Sequence, residues 1–384
     1  MTTSITTQKC LKDAKTIIIK IGTALIVDKS GDHVRQEWLD ALAEDVKALR
    51  EAGKNIVIVS SGAVALGRTS LGIPLDKPPM AIALQKKQAS SAIGQFHVFN
   101  GFFNAFTPHN IKIAQVLLTM SETENRRMHL NARATMNELI ENGVIPIINE
   151  NDTISTGEIR FGDNDRLAAR VAQMIEADVV VLLSTTDGLY TANPDKDDSA
   201  EHIPVVEDIT QDHIDMAGEA IPGMSTGGMK SKLEAAQNAT TSGIDLIISN
   251  GRGNHILDQL VNDENIRSTL FVGDHTTHNA KKRWIGAHMR PKGKVFIDDG
   301  AIQALKKGGS LLPVGVKKIE GRFERGDILE ICTESGHKLG MGITAFNKND
   351  ADHVIGKNSE QIAEVMGFMG RSELIHRNDM VLQA

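Results

Sequence analysis

The chain has 384 residues, of which 41% are hydrophobic, 24% charged and only 4% aromatic, and 34 are glycine. This balance fits a folded globular chain of two domains and excludes coiled-coil, collagen-like and disordered classes. The formal charge of −7, with no long block of like charge, argues against attraction of the whole molecule to DNA or an anionic membrane and favours small-molecule chemistry. Cys10 and Cys332 share no metal-ligand spacing, and no apolar run approaches membrane-spanning length. The apolar stretch from Thr16 to Val27 is interrupted by Lys20 and carries no clean cleavage pattern, so a cytoplasmic location is expected.

Strand-like apolar runs at 16–21, 55–59, 144–148, 179–183 and 244–248 alternate with longer helical patterns. That rhythm predicts βαβ units and a mainly parallel sheet covered by helices on both faces. In the first intervening helix Trp38, Leu39, Leu42, Val46 and Leu49 share one face, and Gly53 supplies the stop. Ligands in open α/β sheets bind at the carboxyl ends of the strands, so polar residues there are the candidates.

The first such segment is TIIIKIGTALI. Lys20 is either a solvated lysine on an edge strand or a lysine delivered to a ligand's phosphates, with Gly22 and Thr23 allowing close backbone approach. In IVIVSSGAVALGR, Ser60, Ser61, Gly62 and Ala63 join a strand to a helix, which serves either as plain N-capping or as an anion site at a helix start. Next, IPIINENDTIS provides Asn149, Glu150, Asn151 and Asp152, and Gly162, Asp163, Asn164 and Asp165 open the following helical pattern. So many carboxylates and amides after one strand suit a cationic or highly polar ligand better than a turn alone. Ser184 and Thr185 end another buried strand, either as part of a simple turn with Asp187 and Gly188 or as hydroxyls for a nucleotide. Finally, GMSTGGMKSKLEAAQNA sets Thr226, Gly227 and Gly228 before Lys230 and Lys232 at a helix start, which has the physics of a phosphate loop unless it is an exposed linker. No Walker loop, G-x-G-x-x-G turn or H-E-x-x-H motif occurs.

Near residue 280 the texture turns basic and loses its period, which predicts a domain over 1–280, a linker over 281–290 and a second domain over 291–384. From Arg290 onward the chain nets +1, and GKVFID, SLLPVGVKKIEG and DILEICTESG read as strands of a small β-barrel.

In this order, the five segments resemble the amino-acid kinase superfamily, and NENDTIS, GDNDRLAA and TGGMKSKLEAA resemble its glutamate 5-kinase branch. The region after Arg290 resembles the RNA-binding-type barrel called PUA. The resemblance implies a three-layer αβα sandwich around a mainly parallel sheet, followed by the PUA-like barrel. It also implies ATP-dependent phosphorylation of the γ-carboxylate of L-glutamate, the first step of proline synthesis. Lys20 and Lys232 would then grip the transferring phosphoryl group, with Asp165 orienting them. Ser61, Asp152 and Asn164 would bind glutamate. Lys20, Ser184, Thr185, Thr226, Gly227, Gly228, Met229, Lys230, Ser231 and Lys232 would hold ATP, with Mg2+ carried on its phosphates and no direct protein ligand. A homo-oligomer and feedback inhibition by proline are further implications. The competing readings are a related kinase acting on N-acetylglutamate, aspartate, carbamate or a nucleotide, and an RNA-binding protein working through its second domain. Against the latter stand the small net charge of the tail and its few aromatics, chiefly Phe296, Phe323 and Phe346.

Overall fold

The computed structural model describes the chain except residues 1–4, 75–76, 79–80, 120–121, 124, 156–163, 195, 217–227, 276–290, 359–360, 362–372 and 383–384. The chain divides into two compact units, Met1–His275 and Thr276–Ala384. In the first, the strands are β1 (Thr16–Ile21), β2 (Asn55–Val59), β3 (Ile113–Leu118), β4 (Ile145–Glu150), β5 (Val179–Ser184), β6 (Leu189–Tyr190), β7 (His202–Ile203), β8 (Val205–Val206), β9 (Asp245–Asn250) and β10 (Ser268–Phe271). Eight of them form one sheet in the order β3-β4-β2-β1-β5-β9-β10-β8, while β6 and β7 pair separately. All neighbours in the large sheet run parallel except β9 and β10.

The alternation of side chains along a strand divides the core into two layers. On β1, Ile17, Ile19 and Ile21 pack with Trp38, Leu39 and Leu42 of the helix Gln36–Glu51 and with Val98 and Phe102 of the helix Leu84–Phe106. Ile18 faces the other way, among Leu167 and Val171 of the helix Asn164–Ile175 and Leu233 and Ala236 of the helix Met229–Thr240. Each large aliphatic side chain buried in these layers contributes roughly 1.5–3 kcal/mol. The same period puts Lys20 on the Ile18 face, at the carboxyl end of β1. Because β1 has β2 on one side and β5 on the other, Lys20 is not on an edge strand, which rules out the solvated-lysine reading.

Two helices meet unusually closely beside the β2 end. A Cβ on Gly67 of the helix Ala63–Ser70 would run into the backbone of Ser90, and one on Gly94 of the helix Leu84–Phe106 would run into the Ala63 carbonyl oxygen. Only glycine at both positions permits that approach. Farther along the sheet, buried Trp38 donates its indole N–H to the carbonyl oxygens of Gly251 at 2.8 Å and Gly253 at 3.0 Å.

The second unit holds a five-stranded sheet ordered β12-β11-β13-β14-β15, with β11 (Gly293–Ile297), β12 (Val316–Gly321), β13 (Ile328–Thr333), β14 (Lys338–Ile343) and β15 (Met380–Leu382). Its own core includes Val295, Ile297, Leu329, Ile331 and Phe346. Among the described residues, no helix is long and apolar enough to cross a membrane.

Candidate active site

Three buried charges meet where β1 ends. Asp165 lies in the first turn of the helix Asn164–Ile175, where the helix dipole favours a carboxylate. Its Oδ1 is 2.6 Å from Lys20 Nζ and its Oδ2 is 2.9 Å from Lys232 Nζ. Asp165 is fully buried, and Lys20 and Lys232 are only 6% and 4% exposed. Burial pushes the Asp165 carboxyl up, but the charges of Lys20 and Lys232 outweigh it and hold the group below the usual carboxylate range. Burial also pushes the Lys232 ammonium down, and Asp165 opposes that shift.

The trio sets two ammonium groups around one carboxylate inside the protein. Desolvating each ion costs several kcal/mol, in round terms, so the bridging carboxylate matters to both ammoniums.

The adjacent residue, Asn164, anchors a neutral network. Its Nδ2 reaches the Ser60 carbonyl oxygen at 2.5 Å, Asn149 Oδ1 at 2.9 Å and Ser61 Oγ at 3.0 Å. Gly62, at φ +99°, turns the chain from β2 into the helix Ala63–Ser70 and so presents Ser60 and Ser61 to this network. Asn149 in turn donates to Gln95 Oε1 at 2.7 Å. One helical turn before Gln95, Ser91 donates to Asp152 Oδ2 at 2.6 Å. Burial raises the Asp152 carboxyl, and the Ser91 hydrogen bond offsets part of the rise.

Of the residues singled out in the sequence, Lys20, Asp165 and Lys232 form one cluster, and Ser61 and Asn164 form its neighbour. Asp152 joins through Ser91 on a helix that the sequence reading left out. Ser184 closes β5, where its carbonyl oxygen accepts from Gly251 N at 2.8 Å; Thr185 follows and is exposed. Gly22 N donates to Leu183 O at 3.2 Å, which brings the β1 turn beside the end of β5. Gly228 is the N-cap of the helix Met229–Thr240. In its first turn Lys230 is exposed, and the Ser231 hydroxyl is buried with no hydrogen-bond partner among the described residues. Thr226 and Gly227 lie outside the described residues, as do Gly162 and Asp163. The local sequence carries little sign of Ser91 and Gln95, whose contacts span 61 and 54 positions.

Among the described residues, no group of three His, Cys, Asp or Glu side chains could hold a metal ion. The Asp165 oxygens are both engaged by lysines.

Residues 15–250 match the model of the amino acid kinase family, and residues 293–366 match the PUA domain. Proteins named glutamate 5-kinase from Brucella ovis and Brucella abortus are each 46% identical to this chain over 376 residues, covering 98% of both sequences. Among solved structures, UMP kinase from Ureaplasma parvum aligns with 67% of this chain and 98% of its own, at 13% identity and a TM-score of 0.47, a likeness too slight to carry an argument. The chain belongs to the amino acid kinase family.

Proposed function

We propose that the chain transfers the γ-phosphoryl group of ATP to the γ-carboxylate of L-glutamate, giving L-glutamyl 5-phosphate and ADP, and so opens proline synthesis. The observation that carries the chemistry is the buried trio of Lys20, Asp165 and Lys232, which sets two ammonium groups at the carboxyl end of β1. The full-length likeness to proteins named glutamate 5-kinase supports the choice of acceptor.

Glutamate's γ-carboxylate is already ionised at neutral pH, so no general base is required. One carboxylate oxygen bonds to the γ-phosphorus as the bond to the β,γ-bridging oxygen breaks, and the electron pair leaves on ADP. Phosphoryl transfer then asks the protein mainly for positioning and charge stabilisation. Lys20 and Lys232 supply the charge, and Asp165 holds their ammonium groups in place without accepting a proton. The start of the helix Met229–Thr240, with Lys230 and Ser231, and the β5 end at Ser184 and Thr185 supply the nucleotide side. Asp152 receives the substrate ammonium, with Ser61 and Asn164 beside it. Mg2+ would be carried by the ATP phosphates rather than by Asp165, whose carboxylate oxygens face Lys20 and Lys232. When bound, the metal would neutralise charge on the phosphates.

The test is ATP consumption with a panel of amino acids, trapping any acyl phosphate with hydroxylamine. A γ-glutamyl hydroxamate formed only with ATP, Mg2+ and L-glutamate is the expected product. A hydroxamate from another acid, and none from glutamate, would reassign the substrate.

A further inference from the structure

Resting on this reading, we propose that Gln95 is a specificity residue of the acceptor pocket, whose side-chain N–H2 group binds the α-carboxylate of the amino acid. The backbone fixes which end of each amide points where. The Ser60 carbonyl oxygen can only accept, so the Asn164 atom facing it must be Nδ2. The same Nδ2 meets Asn149, which therefore presents Oδ1, an orientation that the Glu150 N–H also requires at 2.9 Å. Asn149 then turns Nδ2 toward Gln95, which answers with Oε1. The remaining end of Gln95 is thus Nε2, a donor.

Among the described residues that donor is buried with no hydrogen-bond partner, on a residue only 8% exposed. An unsatisfied buried donor is costly, so a site that keeps one beside its polar network suits a ligand that brings an acceptor. Gln95 is also held in place: the neighbouring Gly94 lets the helix Leu84–Phe106 press against the Ala63 carbonyl. Ser91 and Gln95 are four positions apart on that helix and so share a face. Ser91 holds Asp152, the assigned anchor of the ammonium. The α-carboxylate is attached to the same carbon as that ammonium, whereas the γ-carboxylate must reach the lysine trio. Gln95 therefore stands one turn from the ammonium anchor, where an α-carboxylate oxygen belongs.

The test compares L-glutamate with γ-aminobutyrate, which keeps the amine and the distal carboxylate but lacks the α-carboxylate. Gln95→Met keeps the bulk without the donor, and Gln95→Glu keeps an acceptor for Asn149 while replacing the donor with an acceptor. In both variants the glutamate KM should rise about tenfold to 150-fold, the loss expected for one hydrogen bond to a charged group, with kcat and the ATP KM little changed. The affinity for γ-aminobutyrate, read as KM or as an inhibition constant against glutamate, should stay within about twofold in Gln95→Met. Equal weakening of both acids would mean that Gln95 only supports Asn149, and no change in either would mean that its donor serves water; each result overturns the proposal. Failure of the wild-type protein to phosphorylate glutamate while it phosphorylates another acid would instead overturn the substrate assignment. Should Gln95→Met fail to fold, Gln95→Glu decides alone by the ratio of the two affinities, which must shift at least tenfold toward γ-aminobutyrate.

Discussion

Ser91 donates a 2.6 Å hydrogen bond to Asp152, and no cation pairs with that carboxylate among the described residues. Burial holds the Asp152 carboxyl above its ordinary range. A raised carboxyl stabilises the fold fully only below its unfolded pKa, and that contribution disappears as pH rises through the folded value. Asp152→Asn should therefore raise the Tm at pH 7, with the gain shrinking toward pH 4, while the glutamate KM rises about tenfold to 150-fold. Thermal melts at the two pH values and glutamate titrations check both halves; a Tm gain independent of pH would remove the carboxylate as its cause.

Lys20→Ala and Lys232→Ala should each lower kcat by about 10²–10³ while moving the glutamate KM far less, because both charges are assigned to the transferring group. Lys230→Ala, which alters an exposed lysine of the same helix turn, is the comparison. Steady-state kinetics that showed Lys230→Ala inactive and Lys232→Ala active would reverse the assignment.

Asp165 has the opposite pH behaviour. Its depressed carboxyl adds stability above the ordinary carboxylate pKa, and that stability is lost as pH falls through the folded value. Asp165→Asn removes the carboxylate that bridges two buried ammoniums, and breaking such a cluster typically costs about 3–5 kcal/mol. Denaturant melts at pH 7 should show that loss, MgATP should restore part of it, and kcat should fall with the glutamate KM nearly intact.

Gly94→Ala should destabilise the protein by roughly 1–3 kcal/mol or more, since the new methyl group meets backbone rather than a movable side chain. The displaced helix carries Ser91 and Gln95, so glutamate affinity should fall in the same variant. Unchanged melting and unchanged affinity would show that the two helices tolerate separation.

The five runs read as strands in the sequence correspond to β1, β2, β4, β5 and β9, all buried between helices and therefore nearly uniform in apolar character. β3 was not legible because it forms an end of the sheet and most of its residues are only half-buried. β8, two residues long, is shorter than any periodic signal. At the site, Lys20 stood out because a charge inside an isoleucine run is anomalous wherever it sits. Ser91 and Gln95 did not, because a serine and a glutamine in a helix are unremarkable until the partner strand 54 positions later is in place. The glycine beside Gln95 was the nearest local clue, and its meaning depends on Ala63, on another helix.

The Trp38 indole, clamped to the turn after β9, gives the molecule a built-in optical probe. Its N–H is bonded to Gly251 O, and Gly251 N is bonded to Ser184 O, so the ring is two hydrogen bonds from the strand end assigned to the nucleotide. The chain has two tryptophans, and replacing the other one, Trp284→Phe, would leave Trp38 as the single emitter. Its emission should be blue-shifted by burial and should respond to ATP before any turnover, so nucleotide occupancy can be followed in the unlabelled protein and separated in time from phosphoryl transfer.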